Sequence, residues 1–152
     1  MKFNQIKAVV GIFLLFTMKT ASADLGYLYG VYISTVHDEV RANVSGLSYL
    51  TDEMDRVDVF AWLYVDDLID IDLADNNNSC LRISTETISC HTRASYSPVS
   101  AGCKYCGDFR IQSLRNNETN PNNPPDWEVQ ETVDVNDCKT APTGGGGGGP
   151  IP

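Results

Sequence analysis

The sequence has few of the residues and motifs on which catalysis usually depends. Only two histidines, His37 and His91, occur among its 152 residues. It has no His-Glu-x-x-His, no Gly-x-Ser-x-Gly and no phosphate-binding glycine loop, so the common signatures of metalloproteases, serine hydrolases and nucleotide hydrolases are missing. Carboxylates are abundant, but abundance alone does not indicate a pair tuned for acid–base chemistry. We therefore expect a protein that is not an enzyme and that requires no cofactor.

Long apolar runs are missing after the first 23 residues. A lysine-containing start, an apolar run over residues 8–16 and the small-residue site Ala21-Ser22-Ala23 are typical of a secretory signal peptide. The run is shorter than the roughly 20 apolar residues that cross a bilayer, and Lys19 argues against a membrane anchor. We predict that residues 1–23 are cut after Ala23 and that the protein is secreted, with no membrane span in the mature chain.

Basic residues are scarce. The whole chain has 11 Lys and Arg against 20 Asp and Glu. Three of the lysines belong to the predicted signal peptide, which leaves eight basic and twenty acidic residues and a net charge of −12 in the mature chain. This charge disfavours nucleic acids and anionic membranes as partners. It favours calcium, basic proteins or basic mineral surfaces.

Alternating apolar and polar residues predict β-strands in the first half of the chain. Aromatic and β-branched residues with a period of two fit a pleated surface that is buried on one face. The predicted inward residues are Leu25, Tyr27, Tyr29, Val31 and Ile33 in a first strand, and Val40, Ala42 and Val44 in a second. Gly46 is predicted to end the second strand.

A hairpin is predicted within the apolar and acidic stretch Val57–Asp75. Its strands cover residues 57–65 and 68–74. A helix over residues 60–73 is the alternative, and the β-branched content argues against it. The predicted core of the hairpin consists of Val57, Val59, Ala61, Leu63, Val65, Ile69, Ile71 and Leu73.

The opposite face of the first hairpin strand is aromatic. It carries Phe60, Trp62 and Tyr64, so both faces of this strand are apolar. A strand of this kind is either covered on both sides or presents one face to a partner. We therefore treat these three aromatic residues as a candidate binding surface.

The cysteines are predicted to staple the second half of the chain. They are Cys80, Cys90, Cys103, Cys106 and Cys138. In a secreted chain they are disulfide candidates, and each bridge stabilises by about 3–4 kcal/mol on the loop-entropy argument. The spacing does not settle the pairing. We favour Cys80–Cys90, with Cys138 joined to Cys103 or Cys106, and the odd cysteine left unpaired or linking two chains as a disulfide-bonded dimer.

Two other interpretations of the cysteines are weaker. A redox function for Cys103-Lys104-Tyr105-Cys106 requires a helix after the first cysteine, and no helical pattern follows. A structural zinc site requires four Cys or His ligands in paired clusters, and only His91 lies nearby in the sequence.

Three N-glycosylation sequons and several polar segments complete the pattern. The sequons start at Asn43, Asn77 and Asn117. Asn43 is predicted to face outward on the second strand. Residues 75–79 are predicted to form a turn that contains Asn77. Residues 139–152, with their glycine run, are predicted to form a flexible tail.

Calcium is the one metal that the composition favours, and it prefers six to eight oxygen ligands. Asp70, Asp72 and Asp75 are weak candidate ligands. The third ligand position, the central glycine and the terminal glutamate of an EF-hand are missing. On a strand, a row of carboxylates also serves simply to keep a sheet edge from aggregating.

Together these features predict a mainly β protein. We expect a small antiparallel sheet or sandwich of about six or seven strands, formed by a single domain over residues 24–138, with a disulfide-stapled second half and a disordered glycine-rich tail. The expected function is that of a secreted, acidic, non-enzymatic glycoprotein of an extracellular matrix, such as a calcified one, with matrix proteins or a mineral surface as partners. The alternative is an extracellular ligand- or receptor-binding module that uses the aromatic strand face.

Overall fold

A computed structural model describes residues 25–48, 54–82 and 87–143. The predicted signal peptide and residues 144–152 of the predicted tail lie outside these ranges. The strands within the described ranges are β1 (Leu25–Ser34), β2 (Glu39–Ser48), β3 (Arg56–Val65), β4 (Ile71–Leu81), β5 (Ile88–Tyr96), β6 (Lys104–Asn116) and β7 (Trp127–Thr140). These residues form no helix, so the mainly β prediction is confirmed and the helix alternative over residues 60–73 is wrong.

The strands form two antiparallel sheets. One sheet has the order β1-β2-β5 and the other the order β4-β3-β6-β7. Three hairpins, β1–β2, β3–β4 and β6–β7, stay within a sheet, and the remaining connections cross from one sheet to the other. Two sheets of three and four antiparallel strands are also the architecture of immunoglobulin-like sandwiches. No helix in the described ranges is long and apolar enough to cross a membrane.

Inward-facing residues of both sheets build one core, as the period of two predicts. Val40, Ala42 and Val44 of β2 are buried, as are the inward residues of β3 from Val57 to Leu63, and Val65 is half-buried against the core. Sheet β4-β3-β6-β7 adds Phe109 and Ile111 from β6. Burial of one face of each strand fixes the pairing register, because a slip of one residue would turn every core side chain outward. The side chains of the other face must then point to solvent.

The predicted inward residues of β1 are wrong at two positions. Tyr27 is 41% and Tyr29 40% exposed, because the core fully covers only Leu25 and Val31 among the predicted residues of this strand.

The prediction that Gly46 ends β2 is wrong. Gly46 lies within the strand, on its inward face. The strand continues to Ser48. A Cβ atom at Gly46 would lie 2.8 Å from both Ile111 Cγ2 and Val57 Cγ1 of the opposite sheet. The two sheets therefore approach each other closely where this strand has no side chain, which is a common reason for a glycine within a strand.

We expect Gly46→Ala to lower the free energy of unfolding by about 1–3 kcal/mol, because an added methyl group must push the two sheets apart. Gly30→Ala is the matched control. There the three nearest atoms to the new Cβ all belong to the side chain of Tyr32, at 3.3–3.4 Å, and Tyr32 is 57% exposed. Urea unfolding of both variants measures the difference, and equal stabilities would contradict the close approach of the sheets at Gly46.

Strand β4 is longer than predicted. The predicted turn over residues 75–79 is wrong, because these residues pair with Asp58–Trp62 of β3. The asparagine side chains do make local bonds here: Asn76 Oδ1 accepts a hydrogen bond from the next backbone N–H, and Asn78 Oδ1 does the same. Such local bonds usually favour turns, but here they accompany an extended strand at the edge of a sheet.

The predicted core of the hairpin is wrong at its tip. Ile69 is 80% exposed and Ile71 is 54% exposed, whereas Leu73 is half-buried against the core. Ile69 lies in the connection between the strands. A bulge places Ala74 opposite Leu63 and Asp72 opposite Tyr64, so Leu73 is the extra residue. The bulge changes which face the following residues of β4 occupy.

Two of the favoured cysteine pairs are present. Cys80–Cys90 joins β4 to β5 and therefore links the two sheets. Cys106–Cys138 joins the neighbouring strands β6 and β7 at a registered pair. Cys103 is half-buried and forms no disulfide. The partner of Cys138 is therefore Cys106 and not Cys103.

Hydrogen bonds between the sheets tie both lateral edges of the sandwich. On the β4–β5 side, Asn76 Nδ2 donates to Arg93 O at 3.1 Å and Asn78 Nδ2 donates to His91 O at 3.0 Å. On the β1–β7 side, the backbone N–H of Val31 donates to Asp137 Oδ2 at 2.9 Å. These contacts restrain strands that would otherwise be free edges.

The folded part reaches beyond the predicted domain boundary at residue 138. Strand β7 runs to Thr140. Ala141 is buried, and its backbone N–H donates to Cys103 O at 2.8 Å. Residues 139–141 therefore belong to the packed domain rather than to the tail.

Candidate functional site

The aromatic residues of β3 lie together on the outer surface of sheet β4-β3-β6-β7. We call Phe60, Trp62 and Tyr64 the aromatic face. The rings of Phe60 and Trp62 are stacked, with centroids 5.8 Å apart and planes 7° from parallel. Trp62 is 38% exposed, while Phe60 and Tyr64 are half-buried. These residues are therefore open to contact on the side away from the core.

Polar residues of the neighbouring strands flank each aromatic ring. Trp62 lies between Asp75 of β4 and Asp108 of β6. The bulge in β4 also brings Asp72 opposite Tyr64, on the same outer face. Directly opposed side chains in an antiparallel pair have Cβ atoms about 4.5–5.5 Å apart. The aromatic face is therefore bordered by carboxylates on both sides.

Phe60 has different neighbours. It lies between Asn77 of β4 and Arg110 of β6. Arg110 Nε donates to Asp134 Oδ1 of β7 at 2.7 Å, and this hydrogen bond raises the pKa of the Arg110 guanidinium. Because Arg110 is engaged by Asp134, the surface around the aromatic face stays acidic.

Tyr64 connects the aromatic face to the adjacent carboxylates. Its hydroxyl donates to Asp108 Oδ1 at 3.4 Å. Burial raises the pKa of the Tyr64 hydroxyl, and the negative charges of Asp108 and Asp70 raise it further. Tyr64 therefore keeps its proton at neutral pH and acts as a hydrogen-bond donor.

A shallow depression adjoins Trp62. Its volume is about 600 Å³, and it runs across β6 and β7. Its floor and rim combine an indole ring with charged and amide groups. The lining side chains include Trp62, Asp108, Arg110, Asp134 and Asn136.

Arg56, the first residue of β3, binds side chains at the other end of this strand. Arg56 Nε donates to Asp58 Oδ1 at 2.6 Å, and an Arg56 Nη atom donates to Asp58 Oδ2 at 2.8 Å. The guanidinium also lies 5.4 Å from the centroid of the Trp127 ring. Asp58 is only 5% exposed, so its charge is already paired. Asp58 therefore adds no free charge to the outer surface of β3, whereas Asp72 and Asp75 are exposed.

The predicted calcium ligands are exposed and lie along one edge of this surface. Asp70 precedes β4, Asp72 lies opposite Tyr64 and Asp75 lies opposite Trp62. In the part of the chain that the structure describes, no group of three or more His, Cys, Asp or Glu side chains is arranged to hold a metal ion. A calcium role for these residues stays a prediction.

The three sequon asparagines lie in different parts of the sandwich. Asn43 is half-buried on the outer face of β2, and its Oδ1 atom is buried without a hydrogen-bond partner. Asn77 is exposed on β4 rather than in a turn. Asn117 is exposed after β6, and its Nδ2 donates to Glu128 Oε2 at 2.7 Å, which lowers the pKa of Glu128. Glycosylation at these sites stays a prediction.

The sequence pattern predicted the aromatic face but missed its polar neighbours. Asp108, Arg110 and Asp134 belong to β6 and β7, far along the chain from Trp62. No local spacing relates them to β3. Only the pairing register, with Trp62 opposite Asp108 and Phe60 opposite Arg110, brings them together.

Comparison with known proteins assigns no family, because no protein-family model matches the chain and no curated protein matches its sequence. The interpretation of the aromatic face therefore depends on its geometry and charge.

Proposed function

We propose that this protein is a secreted, acidic, non-enzymatic glycoprotein of an extracellular matrix, and that its aromatic face binds a basic segment of a partner protein. The observation that carries this proposal is the position of Trp62. Trp62 is 38% exposed, its ring is stacked on Phe60, and it lies between Asp75 and Asp108 in the strand register. This arrangement provides an apolar surface and negative charge at the same place.

A lysine or arginine side chain has the matching chemistry. Its aliphatic part packs against aromatic rings, while its charged end is attracted both by the ring face and by carboxylates. Trp, the best aromatic partner of a cation, is also enriched among the residues that dominate binding energy in protein interfaces. The net negative charge of the mature chain would steer a basic partner toward the protein.

The fold provides a rigid support for such a contact. Strand β3 is paired on both sides, and its inward side chains are fixed in the core. The disulfide Cys106–Cys138 links β7 to β6, which is the strand next to β3. A surface that is already ordered loses less conformational entropy on binding. The sandwich by itself does not identify a function, which must be argued from the site.

A mineral surface or calcium is a second class of partner that the acidic composition favours. The exposed carboxylates of Asp70, Asp72 and Asp75 would supply the contacts. A partner of this kind needs no aromatic ring, so the effect of removing Trp62 separates the two classes.

We expect Trp62→Ala to weaken binding of a synthetic peptide of alternating lysine and glycine about five- to tenfold, the loss of a cation–π contact of about 1 kcal/mol. The protein for this measurement is the oxidised mature chain produced without glycans. Isothermal calorimetry is performed at two salt concentrations, with a glutamine–glycine peptide as the control ligand.

Tyr32→Ala is the matched control variant. Tyr32 is 57% exposed and lies on the outer face of the other sheet. Its loss leaves net charge and the aromatic face unchanged, so peptide affinity should stay the same. Equal affinities for the Trp62 and Tyr32 variants would show that net charge alone binds the peptide, and the proposed contact surface would then be wrong.

A further inference from the structure

Asn77 lies beside the aromatic face. In the β3–β4 register Asn77 is directly opposite Phe60, and Asp75, two residues earlier on β4, is opposite Trp62. Opposed side chains in an antiparallel pair project from the same face. The sequon asparagine and the stacked rings therefore share one surface.

The neighbours of Asn77 fix the direction of its side chain. Asn76 and Asn78 both point toward the other sheet, where their Nδ2 atoms donate to the carbonyl oxygens of Arg93 and His91. Successive side chains of a strand alternate between faces. Asn77 must therefore point outward, and it is exposed.

The surroundings have the chemistry to hold a sugar. The ring of N-acetylglucosamine presents C–H groups on its faces, which pack against the negative face of an aromatic ring. The stacked rings of Phe60 and Trp62 offer such a surface on the strand that pairs with Asn77. Asp75 supplies a hydrogen-bond acceptor for the hydroxyl and acetamido groups. Arg110, which donates to a carboxylate of β7 through Nε and one Nη atom, supplies a donor through its other Nη atom.

We propose that an N-glycan on Asn77 lies with its first N-acetylglucosamine across Phe60 and Trp62 and so controls access to the aromatic face. In its attachment, Asn77 Nδ2 loses one proton and bonds to C1 of a lipid-linked oligosaccharide, whose lipid diphosphate is the leaving group. The inference about access rests on the proposed function. The position of the sugar does not depend on it.

The other two sequons provide the contrast. Asn43 lies between Gly30 and Arg93 on the outer face of the opposite sheet. Asn117 lies beside Glu128 in the connection between β6 and β7. Glycans at these positions start away from Phe60, so the loss of the Asn117 glycan is a suitable control.

The test compares glycosylated protein, secreted by eukaryotic cells, with Asn77→Gln and Asn117→Gln variants. All chains carry Trp127→Phe, so that Trp62 is the only tryptophan of the mature protein, and glycopeptide mass spectrometry establishes occupancy. Acrylamide quenching of Trp62 should rise about twofold in Asn77→Gln, because one ring face is uncovered, and should not change in Asn117→Gln. Ser79→Ala, which removes the sequon but keeps Asn77, should behave like Asn77→Gln.

An unglycosylated Asn77, or an occupied Asn77 whose removal leaves quenching unchanged, would overturn the inference. Binding of the lysine–glycine peptide distinguishes this failure from failure of the proposed function. Affinity should rise about fivefold in Asn77→Gln as Trp62 becomes available. If quenching changes but no form of the protein binds the peptide, the sugar position stands and the proposed function is wrong.

Discussion

Replacing Phe109 with alanine is expected to lower the free energy of unfolding by about 3–5 kcal/mol. Phe109 is 1% exposed on the inward face of β6. Its ring centroid lies 5.5 Å from that of Tyr29 in the opposite sheet. The substitution removes this contact and leaves a cavity between the sheets, because the surrounding strands relax only partly. Since a small domain is stable by only about 5–15 kcal/mol, the substitution should remove a large share of the total stability.

Phe60→Ala is the matched control for this prediction. Phe60 is half-buried on the outer face of β3, next to Ala61, which pairs with Phe109. Its loss should cost about 1 kcal/mol, the range of a surface aromatic pair. Urea unfolding followed by circular dichroism measures both variants. If the two substitutions destabilise equally, the assignment of inner and outer faces is wrong.

Removing the Cys106–Cys138 disulfide should lower the free energy of unfolding by a similar amount. The two cysteines are 32 residues apart in the sequence, and a loop of this length corresponds to about 4 kcal/mol on the chain-entropy argument. The double replacement of Cys106 and Cys138 by serine should reduce stability by about this amount. Cys80 and Cys90 are 10 residues apart, so their double replacement should cost less, about 3 kcal/mol.

Cys103→Ser provides the control for both disulfide variants. Cys103 is half-buried and forms no disulfide, so its replacement should change stability by no more than about 0.5 kcal/mol. Denaturant unfolding without reductant gives the three values, and peptide mapping of the unreduced protein identifies the bridges. A bridge that contains Cys103 in the wild-type chain would contradict the pairing described above.

Much of the fold could be predicted because strands carry a local period. Val40, Ala42 and Val44, and the residues at odd positions from Val57 to Leu63, are buried as the alternation predicts. The same period places Phe60, Trp62 and Tyr64 outward. The favoured Cys80–Cys90 bridge was also predictable, because a short loop separates the two cysteines.

The wrong predictions fall where one local sequence pattern is compatible with two different structures. Asn76 and Asn78 have side chains that bond to nearby backbone, which indicates a turn in most sequences. In this fold the same side chains bond to the opposite sheet and extend β4 to Leu81. Ile69 and Ile71 continue an apolar alternation, yet they are exposed because the tip of the hairpin is not covered by the other sheet.

The candidate site divides in the same way. Its aromatic half was predictable from β3 alone, since the direction of a side chain on a strand depends on its neighbours in sequence. Its polar half, Asp108, Arg110 and Asp134, was not, because it depends on which strands pair and in which register. Asn77 illustrates both cases: its sequon is a property of the sequence, but its place opposite Phe60 exists only in the folded sheet.

The sequence by itself therefore determined the mainly β class and the two faces of the central strands, while secretion stays a prediction. The tertiary structure decided the neighbours: β4 beside β3, β6 on the other side of β3, and the bulge that brings Asp72 opposite Tyr64. The physical reason is that side-chain alternation is set within a few residues, whereas strand pairing is selected by how well distant segments close one common core.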